Sequence, residues 1–391
     1  MTPTDELLTR GVAEVIVASE LRQRLADGKP LRLKQGFDPT KPDMHIGHAV
    51  GLRKLRKFQE LGHQVVLIVG DWTAQIGDPS GRDETRARLS ATEVRANAET
   101  YMEQFFRVID RQRTEVRWQS EWFGTFTLEQ ALDLTGRFTL AQLLAHETFR
   151  KRYESGAGLT ILELMYPMLQ GYDSVAIQAD VEFGGTDQKF NILAGRELMA
   201  QLGMRPQQVL LLPLIPGTDG RKMSKTFLNT VDITMAPSEM YGRVMSMSDD
   251  VLPLYFELLT DIPLAELAEL RLELTAGRVN PRDLKMRLAR EIVAQFHNAA
   301  EGQRAEEAFV RQFVQRELPE QIPDHALHEP TLLVDLMVSA GLAASKSEAR
   351  RLIDGGGVRV AGNRVEQYDV TLAPGADVVV QVGRRKFLRV I

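Results

Sequence analysis

The sequence predicts an α/β protein built on a parallel sheet covered by helices, followed by an all-helical block and a small α+β block. Three observations predict it. Between about residues 30 and 230, short apolar runs alternate with longer amphipathic stretches. From about 237 to 325 the spacing is helical throughout, and beyond 330 short strand-like runs return around one helix. The charge also changes sign along the chain. Nine basic against six acidic side chains from Thr331 onward leave that block at +3, so the remainder carries −8 of the chain's −5.

The first strand is residues 31–37, read from its alternation and from the turn formers Asp38-Pro39-Thr40 that close it. A helix follows over about 44–61, with Ile46, Val50, Leu52, Leu55 and Phe58 spaced among basic residues. Asp43 is placed as its N-cap. Residues 65–69, 116–118, 176–179 and 209–212 read as further strands. In such a sheet, ligands bind at the carboxyl ends of the strands. The glycine fingerprint of dinucleotide-binding turns, Gly-x-Gly-x-x-Gly, is missing. Residues 281–293 are typical of the helical block, and 318–324, with two prolines, read as a linker. In the last block Ser345 and Glu348 form a capping box that opens a helix carrying Arg350 and Arg351. Three glycines at 355–357 end it, and a strand with Arg359 follows. A basic module on an acidic body is expected to face nucleic acid.

Composition excludes several classes. The 391 residues contain no cysteine, so there are no disulfides and no thiolate metal site, which suits a reducing cytoplasm. The first residues lack the basic start and apolar stretch of a signal peptide. The longest apolar runs are strand-sized, so no membrane span is expected.

Two short strings carry the chemistry. His45-Ile46-Gly47-His48 opens the first long helix, so its imidazoles share one face of the first turn, where unpaired amides favour anions. Gly47 leaves the backbone open to a flat base. Lys222-Met223-Ser224-Lys225-Thr226 lies in a loop opened by the turn formers 216–221, and its two ammonium groups can neutralise charge developing on a triphosphate. Solvated surface histidines and a solvated basic loop are the plain alternatives. Tyr166, Gln170 and Asp173, at i, i+4 and i+7, form a polar stripe beside Leu162, Met165 and Leu169, with Pro167 kinking the helix or marking its first turn.

With the run 36–40, these two strings resemble the signature pair of the class I aminoacyl-tRNA synthetases. The runs 70–81, 166–173 and 184–188 make the chain similar, over nearly its whole length, to the bacterial tyrosine-specific branch of that family. The resemblance implies a Rossmann-like catalytic domain over 1–230, a helical anticodon-binding domain over 231–325, and an S-four-type RNA-binding domain over 330–391. It implies a ligase that uses ATP with Mg2+ to attach L-tyrosine to tRNA(Tyr) through tyrosyl-adenylate. Thr40, His45, His48, Lys222 and Lys225 would be catalytic. Asp38, Gly47, Gly185, Asp187 and Lys225 would bind ATP, with Arg82 and Arg86 at the pyrophosphate. Asp78, Tyr166, Gln170, Asp173 and Gln188 would hold tyrosine, with the phenolic hydroxyl on Asp173. Arg350, Arg351 and Arg359 would contact RNA. No protein-bound metal or prosthetic group, no DNA and no membrane are implied, and a cytoplasmic homodimer is. Where the best-studied members have a tyrosine, a cysteine and a threonine, this chain has Lys34, Gln35 and Gly51, and Lys34 and Gln35 stay outside the expected site.

Two rival readings remain at this point. A tryptophan-specific synthetase shares the fold and both signature strings, but the 166–173 stripe and the basic last block argue against it. A non-catalytic RNA-binding relative is expected to have eroded signatures, and here both are intact.

Overall fold

The computed structural model describes residues 2–80, 89–221, 223, 227–315, 322–383 and 386–391. The chain divides into two compact units, Met1–Ala305 and Glu306–Ile391.

The first unit is organised by a six-stranded sheet: β1 (Glu14–Ile16), β2 (Arg32–Phe37), β3 (Gln64–Val69), β4 (Thr114–Trp118), β5 (Val181–Gly185) and β6 (Gln208–Leu212). Their order is β1-β6-β5-β2-β3-β4, all parallel except β1, which runs antiparallel to β6. Val65 to Ile68 in β3 and Val209 to Leu211 in β6 are at most 1% exposed, as expected for strands covered on both faces. The chain moves outward one way from β2 to β3 and the other way from β5 to β6. The β2–β5 seam is therefore the point where the connections switch direction, and a crevice opens above it. That seam is short: only Leu33↔Val181 and Lys34↔Glu182 are in register, whereas β2 and β3 pair over six residues.

Two sequence expectations fail here. Residues 176–179 are not a strand. The helix Ile161–Ile177 takes in the first two of them, Gln178 caps it in the left-handed conformation, and the strand begins at Val181. A four-residue apolar run has too few periods to tell strand from buried helix end. Asp43 is not the N-cap of the first long helix. That helix is Ile46–Glu60 and its N-cap is His45, because Ile46 N–H and Met44 C=O are already tied to Val231 and Ile233. The antiparallel edge strand β1 was not foreseen, having three residues and no turn signal of its own.

The helices Pro237–Met245, Leu252–Leu259, Leu264–Thr275 and Pro281–Phe296 lie in the same compact unit as the sheet. Arg53 of the Ile46–Glu60 helix pairs with Asp261 at 2.9 Å, and Arg10 donates to the carbonyls of Glu257, Thr260 and Ile262. Most of the expected linker at 318–324 lies outside the described residues.

In the second unit β9 (Val358–Val360), β10 (Asn363–Arg364), β12 (Val378–Val382) and β13 (Lys386–Val390) join β7 (Asp324–His325) in the order β10-β9-β12-β13-β7. The short strands β8 (Thr331–Leu332) and β11 (Thr371–Leu372) pair separately. The sheet packs on the helices Leu333–Ser339 and Lys346–Asp354 through Leu333, Leu336, Met337, Ala349, Ile353, Val380 and Val390. Ser345 caps the second helix as expected, accepting from Glu348 N–H at 3.2 Å. The reciprocal half differs: the Glu348 carboxylate accepts from Ala344 N–H.

Among the described residues no helix is long and apolar enough to cross a membrane, and no cluster of side chains could hold a metal.

Candidate active site

A cleft of about 400 Å³ lies above the β2–β5 seam. It gathers Asp38, Thr40, His45, Gly47 and His48 from the end of β2 and the helix after it, and Asp78 from beyond β3. Tyr166, Gln170 and Asp173 enter from the Ile161–Ile177 helix, and Gly185, Asp187 and Gln188 from the end of β5. These twelve were foreseen from sequence, and strand order explains their meeting. Met223 also lines the cleft, but Lys222 and Lys225 of the second string lie outside the described residues, as do Arg82 and Arg86.

At the helix end the His45 and His48 rings lie 4.0 Å apart. His48 Nδ1 accepts the His45 main-chain N–H at 3.1 Å, which puts the ring proton on Nε2 as a donor at the positive end of the helix. A Cβ at Gly47 would come within 2.9 Å of the His45 ring, so the glycine also sets how closely that ring folds over the terminus. Main-chain bonds tie this turn to the segment after the second string: Ile46 N–H donates to Val231 C=O at 2.9 Å, and Ile233 N–H to Met44 C=O at 3.0 Å. The stem of that loop is held as well, by Thr218 N–H to Asn229 C=O at 3.0 Å and by the Asn229 and Arg221 side chains on Asp219. Those donors keep the Asp219 carboxyl down at about 2.

A second wall of the cleft is built on the Ile161–Ile177 helix, where Thr160 and Glu163 form a reciprocal capping box. Pro167 lies inside the helix, beyond its first turn. Tyr166 donates its hydroxyl to Asp38 at 2.9 Å, and Asp38 also accepts from Thr73 at 2.7 Å. Burial and the Asp38 charge push the phenol well above its usual range, so it remains a donor. Gln188 donates to Asp78 at 2.7 Å, and Asp78 also accepts from Ser80 N–H.

Asp173 is 2% exposed and held by two residues that sequence reasoning missed. Gln119 Nε2 donates to both of its oxygens at 2.9 and 3.1 Å, and Trp122 Nε1 donates to Oδ1 at 3.2 Å. Burial pushes the Asp173 carboxyl up to about 7 even though the Lys34 charge and the Gln119 bond oppose it. Gln119 follows directly on β4, the strand-end position where such sheets place ligand-binding side chains, and that rule could have found it.

Lys34 stays out of the cleft, buried behind it against Glu182 at 3.0 Å. Gln35 does line the cleft, and its Oε1 is buried with no partner among the described residues. A Cβ on residue 51 would lie 2.4 Å from the Gln35 amide, so Gln35 and Gly51 are fitted to each other. Arg350, Arg351 and Arg359 are exposed in the second unit, the first two on the Lys346–Asp354 helix and the third on β9.

Comparison with known proteins agrees with this architecture. Residues 26–314 match the family model for class I tRNA synthetases (W and Y), and residues 332–378 match the S4 domain. A tyrosine–tRNA ligase of Dehalococcoides mccartyi is 50% identical over 390 residues, covering 99% of this chain and 98% of the relative. One from Thermotoga maritima is 46% identical over 393 residues, covering 100% and 98%. Among solved structures, the tyrosyl-tRNA synthetase of Archaeoglobus fulgidus complexed with L-tyrosine aligns with TM-score 0.64 at 21% identity, over 78% of this chain and all of that one. A truncated mitochondrial enzyme of Aspergillus nidulans aligns with TM-score 0.66 at 22% identity, over 80% and 94%. Identity near one half along the whole length, with both signature strings in place, settles the family: the chain belongs to the class I tRNA synthetases of the tryptophan and tyrosine type, among its bacterial tyrosine–tRNA ligases.

Proposed function

We propose that this cleft joins L-tyrosine to ATP as tyrosyl-adenylate and passes the tyrosyl group to tRNA(Tyr). The observation that carries the reading is the convergence, in one crevice, of a helix terminus bearing two imidazoles and a buried carboxylate suited to a phenolic hydroxyl. In the first step a tyrosine carboxylate oxygen bonds to the α-phosphorus of ATP, taken as its Mg2+ complex, and the bond to the pyrophosphate oxygen breaks. The nucleophile is already an anion, so the step needs no general base. It needs alignment and donors placed where phosphoryl charge accumulates. His45, His48 and Thr40 supply those donors from one wall, Lys222 and Lys225 supply them from the loop, and Arg82 and Arg86 serve the pyrophosphate. Asp38 and Gly47 flank the nucleotide, with Gly185 and Asp187 at its ribose. Asp78, Tyr166, Gln170 and Gln188 hold the ammonium and carboxylate of tyrosine, and Asp173 its hydroxyl. In the second step a ribose hydroxyl of the tRNA terminal adenosine attacks the carbonyl and AMP leaves.

Replacing His48 with alanine is expected to slow adenylate formation about 10²-fold, the typical cost of one donor to a charged transition state, with tyrosine affinity nearly unchanged. Single-turnover kinetics and equilibrium dialysis separate the two, and a large loss of tyrosine binding would overturn the assignment. Pyrophosphate exchange with tyrosine, phenylalanine and tryptophan tests the substrate itself.

Domain roles follow from the same reading. Residues 1–230 are catalytic, 231–325 meet the anticodon, and 330–391 bind RNA through Arg350, Arg351 and Arg359. The protein acts in the cytoplasm as a homodimer. Supporting the dimer, Leu128 (76% exposed), Leu132 (62%) and Ile161 (75%) stand open to solvent on the helices Leu128–Gly136 and Ile161–Ile177. Leu132→Asp is expected to shift the protein toward monomer in sedimentation velocity at micromolar concentration.

A further inference from the structure

We propose that Lys34 and Glu182 form a positioning pair that locks the Gln170 amide with its acceptor toward the cleft, and so sets the affinity for the amino acid. The inference rests on the reading that Gln170 and Asp173 hold the substrate. Neither charged residue lines the cleft, and their side chains are 0% and 1% exposed.

Lys34 and Glu182 are register partners on β2 and β5, both directed at the Ile161–Ile177 helix. Lys34 Nζ donates to Gln170 C=O at 2.8 Å and to Ser174 Oγ at 2.7 Å, and forms an ion pair with Glu182 Oε1 at 3.0 Å. Glu182 Oε1 also accepts from Gln170 Nε2 at 3.2 Å, while Oε2 accepts from Ser174 Oγ at 3.0 Å and from Gln207 Nε2. The Lys34 ammonium and both Glu182 oxygens are therefore engaged, and such a buried network fixes geometry even though Gln207 Oε1 has no partner among the described residues.

The consequence falls on Gln170. A primary amide donates only through nitrogen and accepts only through oxygen. With Nε2 turned down onto Glu182, Oε1 is the end left for the cleft, and an acceptor is what a substrate ammonium requires. Without Glu182 the amide can flip and present N–H groups to a cation. Lys34 is the cation paired with this buried carboxylate, and a buried charge without a partner is costly. Lys34 also grips the Gln170 carbonyl, which holds that turn of helix down on the sheet. Stability alone does not account for such a pair, since an apolar pair of similar volume is usually as stable or more so.

The test replaces both partners at once, Lys34→Met with Glu182→Leu, leaving no buried charge unpaired. In pyrophosphate exchange the Michaelis constant for tyrosine is expected to rise about 10- to 100-fold while that for ATP stays within about twofold. Its pH profile should move to higher pH, because the Lys34 charge, which lowers the Asp173 carboxyl, acts on it more strongly than the Glu182 charge, which raises it, and both have gone. A folded double variant with an unchanged tyrosine constant and pH profile overturns the proposal, and so does an equal rise for ATP and tyrosine. Should the double variant fail to fold, Ser174→Ala carries the test with both charges in place: a rise of about threefold for tyrosine alone supports the proposal, and no change overturns it. Gln170→Ala separates the two readings. If it leaves tyrosine binding intact, the site assignment itself fails; if it weakens binding while the pair variants do not, only the pair does.

Discussion

Exchanging Asp173 for asparagine is expected to reduce kcat/KM for tyrosine in adenylate formation by about 10³-fold and to remove most discrimination against phenylalanine. The reason is a count of lone pairs. Oδ1 of Asp173 already accepts from Gln119 and Trp122, and Oδ2 accepts from Gln119, so one acceptor position on Oδ2 is open, enough for a single phenolic O–H. Asparagine must turn N–H groups either at the Gln119 amide or at the incoming hydroxyl. A site built around a substrate hydroxyl rejects the analogue lacking it because its own polar groups are left unpaired. Tyrosine-specific synthetases are the reference case, at about 10⁵-fold against phenylalanine, a magnitude known for these enzymes and adopted here as such. Exchange assays with both amino acids read the ratio directly, and an unchanged ratio in a folded variant would remove Asp173 from the site.

The same residue sets a pH dependence. Burial raises the Asp173 carboxyl to about 7, and in its proposed role the ionised form accepts a hydrogen bond from the phenol. The Michaelis constant for tyrosine should therefore climb as pH falls through that value, and this climb should vanish in the asparagine variant. Stability runs the opposite way. A carboxyl raised from 3.8 to about 7 binds its proton more tightly folded than unfolded, so the protein loses up to about 4 kcal/mol between those two pH values as pH rises. On the role proposed for Asp173, specificity is held against a cost in folding.

The second large effect is expected at Arg152. Its guanidinium is 3% exposed and meets Glu163 at 2.8 and 3.2 Å, also donating to the Gly158 carbonyl. Glu163 in turn closes the capping box of the helix bearing Tyr166, Gln170 and Asp173, accepting from Thr160 N–H and hydroxyl at 3.0 Å. Arg152→Ala strands a buried carboxylate at the start of that helix and should cost about 3–5 kcal/mol. Calorimetry should show the loss as a fall in Tm of about 5–10 °C. Tyrosine affinity should fall with it and ATP affinity much less. If Tm does not move, the pair contributes nothing.

What could be read from sequence divides along physical lines. The strands at 65–69 and 209–212 were legible because parallel strands buried on both faces are continuous apolar runs, and that at 31–37 from its alternation and the turn formers that close it. The polar stripe of Tyr166, Gln170 and Asp173 was legible because helical spacing survives even a proline at 167. The run 176–179 was misread because the helix ends in apolar residues that resemble a strand, with only the backbone of Gln178 marking the stop. Gln119 and Trp122 were missed because they reach Asp173 from more than fifty positions away, a distance no local pattern spans. The partner of Lys34 was not legible. A lysine within a buried strand contradicts burial until its partner Glu182 is seen beside it, and that adjacency is a product of strand order.

The brevity of the central seam bears on how such enzymes evolve. Above Lys34 and Glu182 the inner edges of β2 and β5 part, so peptide groups of Gly36, Phe37, Gly184 and Gly185 border the crevice with no neighbouring strand on that side. Main chain cannot be deleted by a point mutation. Whatever these groups grip is retained while side chains drift.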